Sequence, residues 1–458
     1  MSTQTPPYQV TDPATGEVVE RFPFATDAEV EQAVAGATAA YEEWRKRSVE
    51  DRAAIVKRIA ELFTERAEEL GNLITTEMGK RPSAAKGEAE FCTEIFGYYA
   101  DNGPQLLADK PLPGHDDARI EYLPVGPIVG VMPWNYPYYQ VARFAAPNLI
   151  AGNVVLLKHA ENCPTSALAI AQIMKDAGVP EGVYTNLFAT HEQIAAMIAD
   201  KRIHGVSLTG SERAGTAVAE QAGRNLKKVV LELGGSDPYI ILDTADVDEA
   251  AETAWNTRME NVGQACNSNK RMIVMNEVYD DFVSALTKRA SAMRPRTAGA
   301  DGDDLYSPMV SRKAAEGLAA QVQDAVDKGA TLHAGGTLGD GAYFAPAVLT
   351  GVTPEMRAYS EELFGPVAVV YKVDSDEEAV ELANAVEFGL GGAVWSTDEE
   401  RAVKVARQLE VGMANVNTPA GEGADLPFGG TKRSGFGREL GPLGIDEFVN
   451  KRLFYVQK

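Results

Sequence analysis

The sequence predicts an α/β protein built on two doubly wound parallel sheets, and three observations carry that expectation. From about residue 120, short runs rich in β-branched residues alternate with amphipathic helical stretches, the pattern of a parallel sheet wrapped by helices. The alternation begins again at Tyr239, so two such units should face each other across a cleft. No Pro-rich or Ser-rich linker separates them, so they should pack together rather than hang on a tether.

The first quarter reads mainly as helix after a short extended start. Asp12-Pro13-Ala14-Thr15-Gly16 is turn chemistry between two strand-like runs. Thr26 followed by Glu29 is a capping-box pattern ahead of a helix running to Arg47. Ser48 caps a second helix, whose apolar stripe is Ile55, Ile59, Leu62 and Phe63. In the first α/β unit, strands are expected at 128–132, 154–158, 183–188, 205–208 and 229–232, with helices at 166–177, 191–199 and 211–222. The second unit opens with a strand at 239–242, a helix at 246–260, a strand at 271–274 and a helix through Phe282 to Ala292.

The chain has 458 residues, enough for two to four domains at roughly 100–200 residues each. It carries 43 Lys and Arg against 66 Asp and Glu, a net charge of −23. That balance argues against a nucleic-acid partner, which needs a basic patch. Three cysteines, Cys92, Cys163 and Cys266, make no disulfide framework and suit a reducing, cytoplasmic compartment. The start MSTQTPPYQV lacks the basic-then-apolar order of a signal peptide. The most apolar stretch, 141–157, is broken by Arg143, Pro147, Asn148, Gly152 and Asn153, so no membrane span is expected. The five histidines form no metal-type cluster with a cysteine, so no metal is expected.

Four segments are candidates for chemistry. Cys266 follows a helix end marked by Gly263, among small and polar neighbours, where a thiolate can be favoured; a buried structural cysteine is the plainer alternative. Lys270 and Arg271 stand close by in sequence and are expected to help the thiolate only slightly, since both read as solvated. Glu232 ends a buried strand before Gly234-Gly235, which should project a partly desolvated carboxylate into a cleft as a general base; a turn cap is the alternative. Pro133-Trp134-Asn135-Tyr136-Pro137 fixes one amide side chain directly after a strand, placed to donate to an oxyanion or simply to make a rigid turn. Gly210-Ser211-Glu212-Arg213-Ala214-Gly215 lies between strand and helix, where backbone N–H groups receive phosphate. The ordinary GxGxxG and GxxxxGK[ST] fingerprints are absent.

Taken together these segments resemble the NAD(P)-dependent aldehyde dehydrogenase superfamily. The resemblance covers essentially the whole chain in order: PWNYP at 133–137, LLKHAE at 156–161, TGS at 209–211, ELGG at 232–235, GQAC at 263–266, EELFGP at 361–366, PFGG at 427–430 and SGFGRE at 434–439. It implies the aldehyde dehydrogenase fold, with a small β-rich oligomerisation element beside the two α/β domains. The implied division is 1–105 and 127–233 for the cofactor, 234–435 for catalysis, and 106–126 with 436–458 as the bridging element. The exposed strands of that element imply a homodimer or homotetramer.

The resemblance makes Cys266 the nucleophile on a small-molecule aldehyde. Asn135 and the Cys266 N–H would hold the oxyanion, and Glu232 would activate the water that hydrolyses the thioester. Pro133, Trp134, Gly210, Ser211, Gly215 and Leu233 would line the cofactor site, with Lys158 and Glu161 at the adenine ribose and Glu362 and Phe364 at the nicotinamide end. A carboxylate at Glu161 accepts from both ribose hydroxyls and repels a 2′-phosphate, so NAD is expected ahead of NADP.

Arg143, eight residues after Asn135, resembles the arginine of the bacterial succinate-semialdehyde dehydrogenases and is expected to clamp a carboxylate. Tyr136 and Phe428 would line the same tunnel. The expected reaction is oxidation of succinic semialdehyde to succinate. Rival readings are an uncharged aliphatic or aromatic aldehyde, a CoA-acylating relative, which Glu232 argues against, and a non-catalytic binding protein of the same fold. Glu422 and Asp425, if they faced the tunnel, would repel an anion. Glu260 stands where some members have a second arginine.

Overall fold

A computed structural model describes residues 8–421 and 423–457. Its core holds two parallel-rich sheets. In the first, Pro127–Val131 is central, with Val154–Lys158 and Tyr184–Asn186 on one side and Gly205–Thr209 and Lys228–Glu232 on the other, all parallel. Order reverses between Pro127–Val131 and Gly205–Thr209, and in open α/β sheets ligands bind at the carboxyl ends beside such a switch point. In the second sheet Pro238–Ile241 lies between Arg271–Met275 and Gly391–Trp395, and an antiparallel strand, Thr331–Ala334, closes one edge.

The strands read as near-continuous apolar runs because helices cover both faces. Ile128, Val129, Val154, Val155, Leu156 and Leu157 are each 0% exposed. At about 1.5–3 kcal/mol per fully buried large apolar side chain, such runs dominate the sheet's stability. Helix Asp27–Trp44 begins at the expected capping box: Glu29 N–H donates to Thr26 Oγ1 and Thr26 N–H to Glu29 Oε2. Ser48 caps Val49–Glu65.

A third sheet stands apart: His115–Pro124 pairs antiparallel with Lys110–Leu112 and with the carboxy-terminal Val449–Tyr455. The expected strand at 183–188 is shorter, Tyr184–Asn186. The expected boundary at 435/436 falls inside a two-residue strand, Gly435–Phe436, which pairs with Glu232 and Leu231 of the first sheet. Among the described residues, no helix is long and apolar enough to cross a membrane.

Candidate active site

The two sheets meet end to end. Pro133-Trp134-Asn135, Gly210-Ser211 and Glu232 stand at carboxyl ends of first-sheet strands, whereas Cys266 and Glu362 come just before the second-sheet strands Arg271–Met275 and Val367–Val373. The cleft therefore gathers residues that are far apart in sequence.

Cys266 is partly exposed, while Cys92 and Cys163 are buried. Its loop leaves helix Val247–Met259 through a tight turn with Asn261, Val262 and Gly263 at φ of 45, 55 and 71°. A left-handed valine is strained and persists only where the surroundings over-determine it. Here Asn261 Nδ2 donates to Asn135 O at 2.8 Å, and Gln264 Oε1 accepts from Val310 N–H at 2.9 Å. Burial pushes the Cys266 thiol up to about 12, against the opposing pull of Arg143 and Lys270.

Asn135 is 5% exposed and donates through Nδ2 to Gln264 O at 3.1 Å. A side-chain amide has two N–H donors, and this residue lines a cavity with Cys266. Glu232 is 2% exposed and neither carboxylate oxygen has a hydrogen-bond partner. It does not project into the cleft as expected. Its Oε1 lies against Gly429, where an added Cβ would sit 2.6 Å away. Burial, then the nearby Glu439, raises its pKa well above the carboxylate range.

Two cavities converge on Cys266. One, of about 270 Å³, is lined by Pro133, Trp134, Gly210, Ser211, Leu233, Glu362 and Phe364, seven of the ten expected cofactor residues, together with Asn135 and Thr209. A dinucleotide fits its chemistry. Ser211 caps helix Glu212–Arg224, whose N-terminus suits a phosphate, and the buried Thr209 hydroxyl in the wall lacks a partner. Trp134 and Phe364 stand edge to face at 5.7 Å. A side chain at Gly234 would press on Glu362. Gly215 acts indirectly: a Cβ there would meet Leu233 at 2.6 Å, so its bareness seats the leucine against the helix. Lys158 and Glu161 stand apart from this cavity, paired at 2.6 Å, with His191 Nε2 3.4 Å from Glu161.

The other cavity, of about 430 Å³, is lined by Tyr136, Tyr139, Phe428, Lys80, Glu260 and Cys266, among others. Tyr136 and Phe428 are both on this wall. Arg143 is not. It is 0% exposed and absent from the wall, its Nε 2.7 Å from Glu439 Oε2 and its Nη2 2.5 Å from Gln140 Oε1. Its guanidinium lies between the rings of Tyr139 and Phe428, at 4.7 and 4.3 Å. The expected clamp is therefore a sealed ion pair behind the site, because Glu439 answers its charge. Asp425 is exposed, and Glu422 lies outside the described residues.

Five buried charged residues were missed or misjudged from the sequence. Lys270 and Arg271 are each 1% exposed rather than solvated. Lys270 Nζ donates to Ala265 O and Cys266 O, both at 2.8 Å, and lies 3.2 Å from Glu362 Oε1. Arg258, 0% exposed, donates to Ser268 Oγ, Leu363 O, Gly365 O and Val367 O, stitching the Cys266 loop to 363–367. Lys80 pairs with Glu88 at 2.6 Å and sits 3.7 Å over the Tyr136 ring. Glu439 was legible only as part of SGFGRE, since its partner lies almost 300 residues earlier.

The cysteine thus stands between two cavities, with an amide beside it and a buried carboxylate behind. The chain belongs to the aldehyde dehydrogenase family, whose model matches residues 1–453. It is 54% identical over 450 residues to a succinate-semialdehyde dehydrogenase [NADP(+)] of Deinococcus radiodurans, covering 98% of this chain and 94% of that protein. It is 41% identical over 456 residues to succinate-semialdehyde dehydrogenase [NADP(+)] 1 of Mycobacterium tuberculosis, covering 98% and 100%. The crystal structure of succinic semialdehyde dehydrogenase from Streptococcus pyogenes in complex with NADP+ superposes at a TM-score of 0.95 with 40% identity, covering 98% and 100%.

These relatives overturn the expectation of NAD, since NADP+ stands in their names and in the bound structure. Glu161 is not a free anion, since Lys158 pairs with it at 2.6 Å. Burial works to raise its pKa, but Lys158, the largest opposing influence, holds it below the usual range with its charge already matched.

Proposed function

We propose that this enzyme oxidises succinic semialdehyde to succinate with NADP+, through a thioester on Cys266. The observation that supports the reaction best is the position of Cys266, which belongs to the walls of both cavities. Its Sγ attacks the aldehyde carbon and forms a thiohemiacetal. The second N–H of the Asn135 amide and the Cys266 N–H hold the oxygen as charge develops, which favours the transition state over the ground state. When bound, the nicotinamide accepts the hydride that the carbon releases. Glu232, its carboxylate made more basic by burial and without a partner, then turns from Gly429 toward the thioester and takes a proton from the attacking water; the C–S bond breaks, releasing succinate and returning Cys266 as the thiolate.

On the cofactor side, Ser211 and the N-terminus of its helix take the pyrophosphate and Glu362 the nicotinamide ribose. The ion-paired state of Glu161 makes room for a 2′-phosphate beside Lys158 and His191. The six-stranded unit is read as the cofactor domain and the seven-stranded unit as the catalytic domain. At the substrate end Lys80, unlike Arg143, is on the wall, although Glu88 already answers its charge at 2.6 Å. One of its three donors goes to Glu88.

A second reading, an uncharged aldehyde, is favoured by Glu88, Glu90, Glu94 and Glu260 on the same wall. Initial rates of NADP+ reduction with succinic semialdehyde beside butanal decide between them. A large preference for the semialdehyde that Lys80→Met removes supports the first reading; equal or better turnover of butanal replaces it with the second. Leu453 and Tyr455, exposed on the third sheet at 59 and 55%, and Val456 just past it at 46%, support a homodimer or homotetramer through that edge. Light scattering behind a sizing column tests this, and a monomer refutes it.

A further inference from the structure

Lys270 was expected to be a solvated bystander and is instead among the most buried cations in the chain. All its donors are committed at the site: two to the carbonyls of Ala265 and Cys266, each at 2.8 Å, and one toward Glu362 Oε1 at 3.2 Å. Glu362 Oε1 also accepts from Gly235 N–H at 3.0 Å. The junction is crowded on every side, since a Cβ at Gly235 would lie 2.5 Å from Cys266 O and 2.9 Å from Asp237 Oδ1. One buried ammonium thus grips the peptide that carries the nucleophile and, on its other side, the carboxylate on the wall of the cofactor cavity.

We propose that Lys270 is a positioning residue that ties the Cys266 peptide to Glu362 and supplies the buried positive charge against which the thiolate forms. The proposal rests on Cys266 being the nucleophile. Gripping the carbonyls of residues 265 and 266 fixes the peptide planes around Cys266, and therefore the direction of its N–H. The same charge acts on the sulfur from the backbone side, with Arg143 acting from the helix Tyr139–Ala151. The other titratable groups facing the sulfur are Glu232 on its strand end, Glu362 before Val367–Val373, and Tyr136 and Tyr139 on the PWNYP segment and the helix after it. Glu362 is the anion that Lys270 partly compensates, so removing one partner should act oppositely to removing the other.

The test is the pH dependence of Cys266 alkylation by iodoacetamide in the full chain, without substrate or cofactor. Cys92 and Cys163 are buried and serve as silent controls. Lys270→Met is expected to move the alkylation midpoint upward by about one unit, roughly tenfold slower at a fixed pH below it, and Lys270→Arg to recover part of the shift. Glu362→Gln is expected to move the midpoint downward. A loop merely loosened by mutation would not give opposite shifts. An unchanged or lowered midpoint in Lys270→Met, or shifts of the same sign in both variants, overturns the proposal. If Lys270→Met fails to fold, Glu362→Gln decides alone: a lower midpoint supports the proposal, and an unchanged or higher one refutes it. Loss of the dehydrogenase reading is seen separately, as activity that survives Cys266→Ala.

Discussion

Replacing Arg143 tests whether it serves the substrate or the fold. Its guanidinium and the Glu439 carboxylate are 0 and 5% exposed at the side chain and 2.7 Å apart. Removing one partner of such a pair leaves an uncompensated buried charge and costs about 3–5 kcal/mol. Arg143→Ala should therefore shift the folding equilibrium roughly a hundred- to several-thousand-fold, read as a lower urea midpoint. The loss should grow with pH. Glu439 is already raised above the carboxylate range by burial, and without Arg143 its folded pKa rises further above the unfolded one. An acid raised in the folded state loses stability as pH climbs from its unfolded pKa through its folded pKa, so the variant should suffer least near pH 4. Adding Glu439→Gln should recover much of the loss. Turnover of succinic semialdehyde and butanal should fall together. If instead the urea midpoint stays put and only the semialdehyde loses rate, Arg143 reaches the substrate and the sealed-pair argument fails.

Other outcomes follow from the same geometry. Glu232→Gln should leave a burst of about one NADPH per active site and then a steady rate down roughly 10²–10⁴-fold, seen by stopped flow; loss of the burst itself would place Glu232 before hydride transfer. Asn135→Ala should lower kcat roughly 10²–10³-fold with little change in cofactor KM, and a change confined to KM would remove it from the oxyanion site. Glu161→Gln should raise the NADP+ over NAD+ ratio of kcat/KM severalfold, since it leaves Lys158 uncommitted; a fall in that ratio would refute the reading of that end. Asp237 is raised to about 7 by burial, with Lys270 pulling the other way. Its contribution to stability should fall as pH rises from about 4 through 7, and Asp237→Asn should flatten that part of the urea-midpoint profile.

Much of the fold was legible because it depends on local pattern. The capping box at Thr26 and Glu29, the Ser48 cap and the apolar strand runs all declare themselves within a few residues. The site was legible as segments, and the two cavities at Cys266 do collect residues from six of the motifs. What stayed hidden was the state of each charge. Arg143 looked like a free clamp because its partner, Glu439, is brought to it only by the return of the chain after the second sheet. Lys270 looked solvated because polar neighbours, Asn267, Ser268 and Asn269, suggest a surface loop, yet the loop folds inward, the Asn269 amide donating to Ala254 O and the Ser268 hydroxyl accepting from Arg258. Glu161 looked repulsive because Lys158 and His191 are invisible as partners until strand and helix ends meet.

These hidden partners change how the centre handles protons. Three cations, Arg143, Arg258 and Lys270, lie fully buried around Cys266, against the buried acids Glu232, Glu439 and Asp237. Burial alone disfavours every one of these charges. The cations are held by carbonyls and carboxylates, whereas Glu232 has no hydrogen-bond partner and Glu439 none beyond its ion pair. The acids are therefore the groups that yield: all three are raised by burial. Oxidation and hydrolysis of an aldehyde release protons, and a carboxylate that burial has made more basic accepts them better than an exposed one. Arg143 serves this indirectly, since its fixed charge keeps the Glu232 and Glu439 pair from being raised still further. A neutral side chain at residue 143 should therefore move the pH profile of kcat to higher pH as well as lower the urea midpoint. A profile that stays fixed while stability falls would assign Arg143 to folding alone.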